Sequence, residues 1–134
     1  MPKLIKELKE EHLFLIETLN KAKNLVVTSD EGQSTLHDAK KAFLDHLKKE
    51  DEQLYPALKK VAKNNSELKQ ILETFITDMD IVSKSAIAFF DKYSEGGEGI
   101  EFAKDFGRLY ITLSRRINKE ESIIYEKYDE LLKS

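Results

Sequence analysis

Apolar residues recur every three or four positions along four segments of the chain, with short polar stretches between them. This spacing places them on one face of an α-helix, so each segment is predicted to be an amphipathic helix. The first two stripes hold Ile5, Leu8, His12, Leu15, Leu19, Ala22 and Val26, then Leu36, Ala39, Phe43, His46 with Leu47, Glu50, Leu54, Leu58 and Val61. The third and fourth hold Leu68, Leu72, Phe75, Met79, Val82, Ala86, Phe89 and Tyr93, then Phe102, Phe106, Leu109, Leu113, Arg116 with Ile117, Glu120, Ile124, Tyr128 and Leu131. Four such helices with short connections predict an all-α, up-down-up-down four-helix bundle.

Three polar stretches separate the predicted helices. Thr28-Ser29-Asp30-Glu31 has the spacing of a capping box, and Asn64-Asn65-Ser66-Glu67 repeats it in weaker form. Residues 95–99 contain three glycines and predict a turn. Pro56 lies inside the second helical pattern, where its missing amide hydrogen is expected to kink the helix or interrupt its hydrogen bonds. Since no linker or low-complexity segment divides the chain, residues 1–134 are predicted to form a single domain.

The two halves of the sequence resemble each other. Residues 46–56 align with residues 116–126 at an offset of 70, and the first helix aligns with the third at an offset of 67. Three positions of the longer alignment are identical: Lys49 and Lys119, Glu50 and Glu120, Tyr55 and Tyr125. The chain is therefore predicted to consist of two pseudo-symmetric helical hairpins.

Composition excludes several classes of function. The chain has no Cys, which rules out disulfide frameworks, zinc ribbons, iron–sulfur clusters and thiol nucleophiles. Its net charge of -3 argues against binding to nucleic acid. No apolar run is long enough to span a membrane, and Met1-Pro2-Lys3-Leu4 does not begin a signal peptide, so a cytoplasmic protein is expected. No phosphate-binding or nucleophile motif occurs, and Glu50 with Glu120 has no evident substrate cleft, so the protein is not expected to be an enzyme.

Four polar residues interrupt the apolar stripes, with Arg116 beside them: His12, His46, Glu50 and Glu120. His46 and Glu50 are four residues apart and so leave the same face of the second helix, which also carries Phe43 and Leu54. An ionised carboxylate in an apolar core is costly unless a cation or good donors meet it. The pattern predicts a cation site in the bundle core. His37, by contrast, lies on the opposite helix face from His46 and is expected to be solvated.

Glu11-His12, His46-x-x-x-Glu50 and Leu54-Tyr55-Pro56 together resemble the hemerythrin-like HHE cation-binding family. The resemblance covers essentially the whole chain. It implies a four-helix bundle whose complete sites hold a non-haem di-iron centre. In different members of the family, such a centre binds dioxygen, senses iron or oxygen, or responds to nitric oxide and other stress.

The second half of this chain departs from the family pattern. Met79 and Arg116 stand where a complete site would have histidines, and only Glu120 matches. The resemblance therefore carries over His12, His46, Glu50 and Glu120 as metal ligands, a set suited to one ion, iron or another divalent cation such as zinc or manganese. We hypothesise that Arg116 replaces the second metal by placing its charge between the two glutamates. Alternatively, Arg116 and the glutamates form a metal-free ion network with both histidines as hydrogen-bonding core residues.

The neighbouring side chains are given simpler roles. Met79 is interpreted as core filler rather than as a thioether ligand. Tyr55 and Tyr125 are interpreted as packing residues in preference to hydroxyls beside a bound ligand. Five residues are assigned to a solvated charged face: Lys48, Lys49, Asp51, Arg115 and Glu121.

Two functions follow for the sequence. The first is a cation-binding domain with a reduced site, active in metal, oxygen or stress sensing or in storage, with a small diatomic molecule as an optional further ligand. The second is a metal-free bundle that acts as a regulatory protein–protein interaction module, with another protein or a second copy of the chain as its partner.

Overall fold

The computed structural model describes residues 2–23, 30–94 and 99–132, and all regular structure in these ranges is helical. The elements are α1 (Lys3–Lys23), α2 (Asp30–Lys49), π1 (Glu50–Leu54), α3 (Tyr55–Ala62), α4 (Ser66–Lys92), α5 (Gly99–Lys119), π2 (Glu120–Ile124) and α6 (Tyr125–Leu131). Two of the four rods of the bundle are single helices, α1 and α4. The other two are composite, because a π-helical turn joins α2 to α3 and another joins α5 to α6.

The four rods close a ring around one core. α1 packs on α2 and on α5, while α4 packs on α3 and on α5. The predicted all-α four-helix bundle is thereby confirmed. None of the described helices combines the length and the apolar character that crossing a membrane requires.

The core consists of two apolar clusters separated by a polar layer. One, the aromatic cluster, comprises Leu15, Leu19, Ala22, Leu36, Ala39, Phe43, Ala86, Phe89, Phe90, Tyr93, Phe102, Phe106, Leu109 and Leu113. The other, the leucine cluster, comprises Ile5, Leu8, Leu54, Tyr55, Leu58, Ala62, Leu68, Leu72, Phe75, Ile124 and Tyr125. The buried polar layer between them contains His12, His46, Glu50, Arg116 and Glu120. Charged and imidazole groups thus lie at mid-height in the bundle, with apolar packing on both sides.

The helix boundaries agree with the local chemistry where they are described. The Asn65 side chain accepts a hydrogen bond from the Leu68 amide at 3.1 Å and so caps α4, one residue later than the Asn64 that the predicted capping-box spacing implies. Gly99 begins α5 with a φ of 83°, a conformation that favours glycine. The remainder of the predicted turn, residues 95–98, lies outside the described residues, as do Thr28 and Ser29 of the first predicted capping box.

The interruption expected near Pro56 is present as the π1 turn, and Pro56 lies in the first turn of α3. The amide of Tyr55 donates to the carbonyl of Glu50, five residues earlier, instead of to the usual fourth residue. π2 has the same bond from Tyr125 to Glu120, although Glu126 stands where the first half has Pro56. Proline alone therefore does not explain these turns, which occur at equivalent places in both halves.

Candidate metal centre

The structure brings together the four residues that the sequence singled out. His12, His46, Glu50 and Glu120 are each at most 5% exposed, and one ligand atom from each lies within 4.8 Å of those of the others. α1 supplies the first histidine, the end of α2 the second, and the two π turns begin with the glutamates. Three of the four rods therefore contribute to one buried cluster.

Each imidazole is oriented by a carboxylate at the edge of the bundle. Nδ1 of His12 lies 2.8 Å from Oε2 of Glu121, and Nδ1 of His46 lies 2.8 Å from Oε1 of Glu11. An ionised carboxylate only accepts hydrogen bonds, so these pairings assign a hydrogen to each Nδ1. Both Nε2 atoms then face the cluster, His12 at 3.1 Å from Glu120 and His46 at 3.4 Å from Glu50. Metal-binding histidines in proteins are held in this way.

Two tyrosine hydroxyls cross between the halves. Tyr55 donates to Oε2 of Glu120 at 2.7 Å, and Tyr125 donates to Oε2 of Glu50 at 2.7 Å. Tyr125 also lies 3.1 Å from Oε1 of Glu120. Residues five apart are about 140° apart around a regular α-helix, at 3.6 residues per turn. A π turn has more residues per turn than an α-helix. In each half, the tyrosine after the π turn therefore lies above the glutamate at the start of that turn.

Burial and neighbouring charges shift the protonation of the cluster. Burial opposes protonation of His46, but the Glu50 carboxylate 3.4 Å from its Nε2 and the hydrogen bond to Glu11 raise its pKa to about 9. Burial raises the pKa of Glu50 to about 7, although the neighbouring His46 acts in the opposite direction. Burial would also raise the pKa of Glu120, yet the contact with His12, the neighbouring Glu50 and the hydrogen bond from Tyr55 lower it to about 2. The cluster therefore holds protons at neutral pH that a bound cation would displace.

Two atoms in the cluster lack a hydrogen-bond partner. Nε2 of His46 and Oε1 of Glu50 are both buried, and neither makes a hydrogen bond to any described residue. Buried polar atoms are normally paired, and an imidazole nitrogen beside a carboxylate oxygen is a pair that a transition-metal ion binds. The donor atoms present therefore fit a cation.

Arg116 does not take the position hypothesised for it. Its Nη2 donates to the carbonyl of Phe75 at 2.8 Å, its Nη1 lies 3.6 Å from Asp78, and its guanidinium stacks 4.1 Å from the centre of the Phe75 ring. Within the described ranges, neither Glu50 nor Glu120 lies within ion-pair distance of it. The guanidinium turns towards α4 because a carbonyl, a carboxylate and an aromatic face meet it there. Both hypotheses for Arg116 are therefore wrong: it neither replaces a second metal between the two glutamates nor joins them in a metal-free ion network.

Other expectations are settled by the positions of the side chains. Met79 is partly buried and packs against the aromatic cluster, and His37 is exposed, both as predicted. Glu121 is partly exposed, as expected for a charged face, but its carboxylate also pairs with His12, a contact that the sequence did not predict. Tyr55 and Tyr125 do pack in the leucine cluster, but their hydroxyls reach the carboxylates. The repeat, which aligns the two tyrosines beside the two glutamates, was the available signal for them.

Comparison with known proteins supports the same conclusion as the geometry. A family model described as the hemerythrin HHE cation-binding domain matches residues 3–128. No curated protein and no solved structure gives a significant match. The match covers almost the entire chain, and the buried histidine and glutamate cluster lies inside it. The chain belongs to the hemerythrin HHE cation-binding domain family.

Proposed function

We propose that this domain binds one metal ion, iron in the first instance, through His12, His46, Glu50 and Glu120. The observation that carries the proposal is the pair of buried, unpartnered atoms, Nε2 of His46 and Oε1 of Glu50. A cation bound there would satisfy both atoms and offset the cost of burying two carboxylates.

The donor set favours a single ion of the first transition row. Two imidazole nitrogens and two carboxylate oxygens suit iron, manganese or zinc, and they are too few for two irons with nitrogen-rich coordination. Met79 and Arg116 fill the places where the second half would supply histidines, and Arg116 is bound to α4. This supports a reduced site over a complete di-iron centre.

A bound ion would act as a Lewis acid and, as iron, would add one-electron chemistry. The chain's own residues orient the ligands through Glu11 and Glu121 and exclude water with the apolar clusters on either side. The ligands come from three rods, so occupancy would be coupled to the stability of the bundle. This coupling supports a sensing or storage role rather than catalysis, with a small diatomic molecule as an optional further ligand.

The test is metal analysis of protein purified without chelator, followed by thermal unfolding with Fe(II) under anaerobic conditions, Mn²⁺ and Zn²⁺ added singly. We expect about one ion per chain, and stabilisation of about 2.7 kcal/mol when the free ion is at 100 times its Kd. Mg²⁺ is the control, since it prefers all-oxygen sites that keep several waters. Protein that contains none of the three transition metals and is not stabilised by them would contradict the proposal and favour the metal-free interaction module.

Glu11→Gln tests how strongly the orientation of His46 affects metal affinity. The amide no longer carries the charge that stabilises the Nδ1 hydrogen, so metal affinity should fall by about 10–100-fold, as for other residues that hold a ligand. Isothermal titration with Zn²⁺ measures the change. Glu10→Gln alters net charge equally at an exposed neighbouring position and should leave affinity nearly unchanged. Equal losses in the two variants would show that only the overall charge matters.

A further inference from the structure

The phenolic oxygen of Tyr125 lies among the candidate ligand atoms rather than beside them. It is 2.7 Å from Oε2 of Glu50, 3.1 Å from Oε1 of Glu120 and 3.2 Å from Nε2 of His12. The side chain is 1% exposed, and its ring stacks on that of His12 with the centroids 5.4 Å apart. One oxygen is thus in close contact with three of the four candidate ligands.

These separations match the spacing of atoms that share a metal ion. Nitrogen and oxygen ligands lie about 2.0–2.2 Å from a first-row ion, so neighbouring ligand atoms around it are roughly 3 Å apart. All three Tyr125 distances are close to this value. Within the described ranges, the hydroxyl of Tyr55, the equivalent residue in the other half, makes one such contact, to Oε2 of Glu120 at 2.7 Å. The two hydroxyls therefore differ in how many candidate ligands they contact, although the repeat aligns the two tyrosines.

We propose that Tyr125 is a fifth ligand of the site and binds iron in its ferric state as a phenolate. The inference rests on the proposed metal-binding function. On binding, the O–H bond of the phenol breaks heterolytically, the oxygen keeps the electron pair and donates it to Fe(III), and the proton passes to solvent. No electron is transferred, and the ferric ion is the only reactant added.

Charge balance gives this ligand a specific consequence. Glu50 and Glu120 together match the charge of a divalent ion, whereas a ferric ion in the same buried layer leaves one positive charge that a further anionic ligand would neutralise directly. Among the described residues, Tyr125 is the group that touches both glutamates and can supply that charge. Tyrosine oxygen is an established iron ligand in proteins. Tyr125 thus makes the site suited to ferric iron rather than to divalent ions alone.

The experiment loads the full chain with ferric citrate, removes excess iron, and records iron content and the visible spectrum together. A phenolate bound to Fe(III) gives a charge-transfer band in the visible region that carboxylate and imidazole ligands do not give. We expect wild-type protein to hold about one iron and to show the band. Y125F should keep part of its iron and lose the band, whereas Y55F, the matched control, should keep the band.

Affinity alone would not separate the two tyrosines, because either substitution removes a hydrogen bond to a candidate ligand. Iron-loaded wild type without the band would overturn the proposal, as would a band that persists in Y125F or disappears only in Y55F. Protein that takes up no iron would instead refute the proposed function, and the iron content shows which of the two has failed. If Y125F does not fold, resonance Raman spectra of wild type with ring-deuterated tyrosine decide: shifted ring modes support the phenolate, and unshifted modes exclude it.

Discussion

Replacement of His46 with Gln is expected to lower metal affinity by about 100-fold or more, beyond the 10–100-fold typical of losing a residue that merely holds a ligand. His46 supplies one of the two unpartnered buried atoms and one of only two imidazoles in the cluster. The variant should also lose the increase in thermal stability that Zn²⁺ or Fe(II) gives the wild type. Metal content after gel filtration and unfolding with added metal measure both effects.

His37→Gln is the matched control, since it removes the histidine that faces solvent on the same helix. It should bind metal as the wild type does. Circular dichroism should show that both variants remain helical. Undiminished metal binding in a folded His46→Gln protein would show that the ion is held elsewhere.

The metal-free protein is expected to lose stability as pH rises from about 6.5 to 9. The pKa of His46 is about 9 in the folded protein against 6.5 for the free side chain. The contribution of protonated His46 to the free energy of unfolding is therefore complete below pH 6.5 and disappears above pH 9. At about 1.4 kcal/mol per pKa unit, the loss is on the order of 3 kcal/mol. Glu50 acts in the same direction at lower pH, because its pKa rises from 4.5 to about 7 and its ionisation in the core is unfavourable. The lowered pKa of Glu120 affects stability only towards acid pH.

Urea unfolding of chelator-treated protein between pH 6 and 9 measures this dependence. His46→Gln should flatten the curve between 6.5 and 9, and His37→Gln should not. With saturating Zn²⁺ the sign should reverse, because protons compete with the metal for the same ligands. Stability of the metal-free wild type that is constant or rises over this range would contradict the protonation of the cluster described above.

The fold could be predicted from the sequence because helical periodicity reports directly on burial. Nearly every described position of the four apolar stripes is buried or partly buried, and the polar residues within them, such as His12 and Glu120, are buried as well. A polar residue in an apolar stripe is informative for this reason. Its burial requires a partner, so the stripes predicted the cluster as well as the bundle.

The remainder of the site depends on details that periodicity does not contain. Glu11 and Glu121 lie at the edges of their helices and look like ordinary surface charges until the partner histidine is located. Tyr125 is five residues after Glu120, a spacing that a regular helix places on different faces. The direction of the Arg116 side chain is set by Phe75 and Asp78 on another rod. The repeat cannot indicate this direction, because it matches positions in the two halves and carries no information about contacts between rods.

The two π turns also affect where this chain can lose a residue. Asp51, Glu52 and Gln53 are exposed, so substitutions within π1 alter little of the core. Four residues of a regular α-helix turn the chain by about 400°, and the five residues of the wider π turn cover nearly the same rotation. Deletion of one exposed residue from π1 is therefore expected to leave a regular α-helix in which Tyr55 and Leu58 still face the leucine cluster, and the equivalent deletion in π2 should keep Ile124 and Tyr125 in place. A deletion in the regular part of either rod would instead rotate everything that follows by about 100°, so single-residue deletions should be tolerated best in the π turns.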